Sequence, residues 1–214
     1  SEVRGKRSRR AWRAEGHWQL HYKIGERDIA SVLTIRTDKD GDLVGEWKTE
    51  QAPVESDVSG LNYQRGTLTF KRKSKMNDRS RESDFEGTID RQTGLLSGVL
   101  KSERGEVRVE GKRLGEPLIG AWDLDITMDE RQFKQRLRVH PDLSALYGTL
   151  PVEKVELKDD KVTFKAKWEF GDRTFEMAFE GKLTEEKLTG EITTSRGTQK
   201  VEGKKIVPTF RRRS

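Results

Sequence analysis

Cysteine is absent from this 214-residue chain. Its absence excludes disulfides, thiolate catalysis and cysteine-held metals, though it does not name a compartment. Long apolar runs are missing as well. None approaches the roughly 20 residues that a membrane-crossing helix needs, so no membrane span is expected. No secretory leader is visible, and the chain starts at Ser1 rather than at methionine. A leader removed ahead of Ser1 would put the protein outside the cytoplasm. Gly-x-Ser-x-Gly, a phosphate loop and a dinucleotide fingerprint are all lacking. Acidic residues are plentiful, but no pair has a distinctive spacing. Most fall where water would keep their pKa values ordinary. The chain therefore reads as no enzyme, and no cofactor is expected.

Histidine is scarce: only His17, His21 and His140 occur. On a helix, His17 and His21 would form a metal-binding pair. On a strand they lie about 13 Å apart, beyond joint ligation of one ion. Asp38-Lys39-Asp40-Gly41-Asp42 resembles half of a calcium loop but lacks the later bidentate Glu, so it reads as an Asp-Gly hairpin turn.

What the chain does have, it has twice. Gly16-His17-Trp18 recurs as Gly120-Ala121-Trp122, and Phe85-Glu86-Gly87 as Phe179-Glu180-Gly181. Glu110-Gly111-Lys112-Arg113 recurs as Glu202-Gly203-Lys204-Lys205, and 15 residues separate both Phe70 from Phe85 and Phe164 from Phe179. Matching landmarks in matching order imply a tandem duplication. The divisions are a basic arm (1–15), a first repeat (16–115), a second (116–206) and a basic tail (207–214).

Hydrophobic residues make up only 31% and charged residues 37%, yet the apolar ones alternate in period two, as in strands wetted on one face. The pattern predicts strands near 17–24, 28–36, 42–48, 53–59, 66–72, 83–90, 95–101 and 106–113. In the second repeat it predicts 121–127, 132–140, 144–150, 152–158, 161–170, 173–183, 187–194 and 198–206. Eight short strands per repeat, joined by turn residues, suggest an up-and-down barrel, because closure removes exposed edges. The expected fold is all-β: two tandem eight-stranded antiparallel barrels.

Pointing inward in the first are Trp18, Leu20, Leu33, Ile35, Trp47, Phe70, Phe85, Leu96, Leu100, Val107 and Val109. In the second they are Trp122, Leu124, Phe133, Leu137, Phe164, Trp168, Phe175, Met177, Phe179, Leu188, Ile192 and Val201. So many bulky residues predict filled interiors. Any small-ligand cavity would be lined by Trp47 or Trp168.

Gly-x-Trp in the first strand with a basic residue in the last resembles the calycin superfamily of lipocalins and avidins. The resemblance implies that Trp18 and Trp122 plug one end of each barrel. It also implies that Lys112 or Arg113, and Lys204 or Lys205, pack a cation over the indole. It implies as well an alternative function, carriage of a small apolar ligand.

The net charge of +6 is uneven: residues 1–15 carry +4 and residues 204–214 carry +5, leaving −3 for the rest. Three segments concentrate cations: Arg4, Lys6, Arg7, Arg9, Arg10 and Arg13; Lys71, Arg72, Lys73, Lys75, Arg79 and Arg81; and Arg211, Arg212 and Arg213. Such segments suit an anionic partner: a phosphate or sulfate polymer, nucleic acid among them, anionic lipid, or an acidic protein. The leading expectation is a non-catalytic interaction or structural module, an accessory subunit or domain of a larger assembly, contacting that partner through its basic arms.

Overall fold

A computed structural model describes residues 13–50, 54–76, 79–90, 92–129 and 131–206. The chain divides into two compact units, Ser1–Leu114 and Gly115–Ser214. In the first, eight strands run in order: β1 (Gly16–Ile24), β2 (Arg27–Thr37), β3 (Leu43–Thr49), β4 (Glu55–Gln64), β5 (Thr67–Met76), β6 (Arg79–Ile89), β7 (Leu95–Ser102) and β8 (Gly105–Arg113). Each pairs antiparallel with the next. β1 also pairs with β8, placing Trp18 between Leu33 and Arg113 and closing the barrel.

The second unit contains β9 (Gly120–Met128), β10 (Arg131–Val139), β11 (Ala145–Tyr147), β12 (Leu150–Val152), β13 (Val155–Lys158), β14 (Lys161–Phe170), β15 (Arg173–Thr184), β16 (Lys187–Thr194) and β17 (Gly197–Lys205). They form one barrel-like antiparallel sheet in which β9 joins β17, with β12 and β13 at its two edges. Nine strands replace the expected eight because the segment 144–150 folds back on itself. Gly148 adopts φ 62° and turns the chain so that Tyr147 faces Leu150. Pro151, which has no N–H to give a ladder, sits in the resulting edge strand.

The two cores repeat atom for atom in places. Phe70 stacks on Phe85 with centroids 4.6 Å apart, and Phe164 on Phe179 at 4.8 Å. Each second ring lies on a directly paired glycine couple, Gly87 with Gly98 and Gly181 with Gly190. A methyl on Gly98 would stand 2.5 Å from Phe85 Cζ, and one on Gly181 would stand 2.5 Å from Phe179 Cζ. The bare backbone is what lets the ring lie flat against the sheet.

The inward sets hold with few changes. Val107, Trp168 and Phe175 are only half-buried. Phe133 is the correction: it is 41% exposed. It sits two positions from the β9–β10 hairpin, opposite Ile126 and beyond the filled layer. His17 is half-buried, with Nδ1 2.9 Å from Thr34 Oγ1, while His21 and His140 are exposed. Asp38 Oδ1 accepts from the amides of Asp40 and Asp42, tying the turn together.

Candidate ligand site at the mouth of the first barrel

Each unit has one end built around a tryptophan. Trp18 Nε1 donates to the carbonyl four residues back, Ala14, at 2.8 Å, and Trp122 Nε1 does the same to Leu118 at 2.8 Å. The Arg113 guanidinium lies 4.6 Å from the Trp18 ring centroid, and Lys205 Nζ lies 5.6 Å from that of Trp122. Each cation then donates to the carbonyl five residues ahead of its tryptophan, Arg113 to Arg13 and Lys205 to Pro117. Burial lowers the pKa of Lys205, with Glu116 and Glu186 opposing that effect.

Strand polarity places the opposite end of the first barrel where β1 runs out and β5 turns toward β6. There the inward row stops being apolar. Tyr22 Oη lies 3.1 Å from Ser31 Oγ, and the fully buried Ser31 donates onward to Thr49 Oγ1 at 3.2 Å. Arg72 follows Leu68 and Phe70 on the inward face of β5. Its guanidinium lies 4.5 Å from the Trp47 ring centroid, and its Nε and Nη2 donate to Ser56 Oγ at 3.2 and 3.0 Å. Burial pushes its pKa down, and the neighbouring Tyr22 hydroxyl opposes that shift. The group stays charged, because a guanidinium does not lose its proton in proteins. No carboxylate among the described residues forms an ion pair with it. Trp47 is almost fully buried between Tyr22 and Phe70, with ring centroids at 6.0 and 6.1 Å. Its Nε1 donor has no partner among the described residues.

An open-sided cavity of about 590 Å³ lies against this cluster, lined by Glu46, Trp47, Lys48, Val54, Ser56, Asp57, Lys73, Lys75 and Ser80. It opens where β3 and β4 separate: the two share a single residue pair, Glu46 with Asp57. Gly45 lets Val58 and Leu61 pack close on one side of that pair. The volume is in the range of small-molecule sites, and because most of its lining is exposed it is a cleft beside the filled interior rather than a hollow within it. A second recess of about 400 Å³ includes Arg72 among mixed charges from Lys71, Lys73, Glu82, Asp84 and Lys101.

The second barrel offers an internal comparison. Aligned on the shared landmarks, Tyr22 corresponds to Ile126, Ser31 to Gln135, Trp47 to Tyr147 and Arg72 to Ala166. Ile126, Tyr147 and Ala166 are all buried in an apolar cluster. Trp168 is half-buried, stacked on Phe175 at 5.5 Å, and packs against that cluster.

The basic residues chosen from sequence separate in space. Lys71 pairs across the ladder with Asp84 and Lys73 with Glu82, the latter with a 3.8 Å ion pair. Arg72 turns inward instead, which corrects its assignment to a surface contact. Lys75, Arg79 and Arg81 are exposed near the β5–β6 turn, opposite Ser80, Met76 and Ser74. Arg13 lies beside the Trp18 plug. Arg4, Lys6, Arg7, Arg9, Arg10, Arg211, Arg212 and Arg213 lie outside the described residues. The alternation Leu68–Phe70–Arg72 is the sequence signal that marks Arg72 as inward.

Among the described residues, no group of three or more His, Asp or Glu is arranged to hold a metal ion. Among the same residues, no helix is long and apolar enough to cross a membrane. Neither a family model nor a curated protein matches the chain. Solved structures give distant likenesses. Transferrin binding protein B, a vaccine antigen from Haemophilus parasuis, is 11% identical with a TM-score of 0.26; the match covers 85% of this chain and 53% of that one. This chain thus spans about half of that chain's length. A protein of unknown function from the DUF3598 family of Nostoc punctiforme is 11% identical with a TM-score of 0.24, covering 93% of this chain and 100% of the other. MucB is 12% identical with a TM-score of 0.22, covering 92% and 89%. The barrel architecture rests on the strand pairing of the chain itself.

Proposed function

We propose that this chain is a non-catalytic binding module of calycin type, whose first barrel takes a small ligand at its mouth while the second serves as a filled scaffold. The observation that carries this reading is the cavity of about 590 Å³ walled by Trp47, whose buried indole N–H lacks a partner among the described residues. A buried donor left unpaired costs about 1–3 kcal/mol, which a bound acceptor recovers. The neutral probe N-phenyl-1-naphthylamine tests it. Saturable one-site binding is expected, weakened at least tenfold by Val54→Trp, which fills the cavity, with the melting temperature kept. Non-saturable binding, or saturable binding that Val54→Trp leaves unchanged, overturns the reading.

A second reading concerns the β5–β6 turn, where Lys75, Arg79 and Arg81 have no acid opposite them across the β5–β6 ladder, although Glu55 of β4 stands opposite Lys75 on its other side. With the basic arms, these cations would contact a polyanion or an acidic protein. Retention on heparin should fall steeply with salt. It should also weaken when the three residues are changed to Ser; equal retention at every salt concentration sinks this reading.

A further inference from the structure

We propose that the ligand of the first barrel carries a carboxylate that reaches the Arg72 guanidinium behind Ser56, with the Trp47 indole N–H as a second donor, and a flat apolar body in the cleft beside Val54 and Trp47. This rests on the ligand-site reading above. The cluster is rich in donors and short of an acceptor with charge. Arg72 presents a guanidinium whose N–H groups reach the Ser56 hydroxyl and, among the described residues, no carboxylate. It lies over the very ring whose Nε1 is an unspent donor. A cation withdrawn from water without a counter-charge is costly, and an incoming anion removes that cost. The fold does not demand this arrangement, since the second barrel fills the matching places with Ile126 and Ala166 and stays packed. A divalent cation is the wrong partner for a site centred on a guanidinium. A guanidinium fork matches a carboxylate in plane and spacing. Trp47 and Val54, the apolar side chains of the lining, are where an unsaturated, planar body finds its contact.

The test compares 2-naphthoate, 2-naphthylmethanol and 2-naphthylmethylammonium on the full chain, followed by naphthyl fluorescence anisotropy. The body is constant and only the head group changes. The expected result is 2-naphthoate binding about 10–100-fold tighter than the alcohol, since one charge-assisted contact is at stake, with the ammonium weakest. Arg72→Met should bring 2-naphthoate to the level of the alcohol and leave the alcohol unchanged. Arg72→Gln carries the same comparison should the methionine variant fail to fold, with far-ultraviolet circular dichroism as the check. Equal binding of 2-naphthoate and the alcohol overturns the carboxylate inference while leaving the ligand site standing, and so does a preference that survives loss of the cation. Binding of none of the three overturns both.

Discussion

Trp47 and Tyr147 occupy matching places and meet opposite surroundings. Trp47 borders a cavity with a cation over its ring. Tyr147 is packed among apolar side chains, and burial pushes its hydroxyl pKa up to about 12. That shift has a direction for stability. The folded state holds the phenol proton more tightly than the unfolded chain, whose tyrosine titrates near 10. The stabilisation is whole below about pH 10 and is lost as pH rises toward 12, because the unfolded chain releases its proton first. Urea unfolding at pH 8 and pH 12 should show the intact chain losing more stability than Tyr147→Phe over that interval, by up to about 2 kcal/mol once solvent screening of the part-exposed hydroxyl is allowed for. Equal losses would place the hydroxyl in water.

At the scale of the element, the glycine couples explain how two heavily charged sheets close over so few apolar residues. The flat stacking of Phe85 and Phe179 fills the centre of each unit with one aromatic pair. Gly98→Ala would put a methyl 2.5 Å from the Phe85 ring and 2.7 Å from the Glu86 carbonyl oxygen. Gly190→Ala would meet Gly181 Cα at 2.5 Å and Glu180 O at 2.4 Å. Backbone cannot yield as a flexible side chain can, so each change should cost about 1–3 kcal/mol in denaturant unfolding. Gly105→Ala is not the control it looks to be: its surroundings are open, but φ is 120°, so it tests strain rather than space. Lys101→Ala in β7, three positions from Gly98 and exposed, is the better comparison and should shift stability by less than about 0.5 kcal/mol. A Gly98→Ala effect no larger than that would mean the ring has room to lift.

For the whole molecule, the duplication predicts independence. The two units have separate apolar clusters, one anchored by Trp18, Leu20 and Phe85 and the other by Trp122, Leu124 and Phe179. In each the first and last strands pair with one another, which closes the barrel in the first unit and joins the two halves of the sheet in the second. Residues 13–114 and 115–206, expressed separately, should each give a strand-rich spectrum and a cooperative melt. Halves that fold only in one another's presence would replace two units with one.

Much of this was legible along the chain. Period-two alternation placed the strands, repeated landmarks divided the chain, and Gly-x-Trp with a terminal cation located the two tryptophan–cation pairs, because these signals are local or recur at fixed offsets. The turn at Gly148 was not legible, since a left-handed glycine inside an apolar stretch reads the same as a strand glycine until its ladder partner is known. Phe133 carried the right parity but stands too near a hairpin for the core to reach it. Arg72 is the sharpest case. Six basic residues crowd the stretch 71–81, and density of charge hid the one whose parity turns it inward. The sequence by itself determined that two β units would form and which face of each strand would be apolar, because alternation acts within a strand. Tertiary structure decided which strands part, and so where a cavity opens and which cation lies beside an unpaired indole. Those depend on residues from β1, β3, β4 and β5 meeting across the barrel, and no spacing along one strand encodes such a meeting.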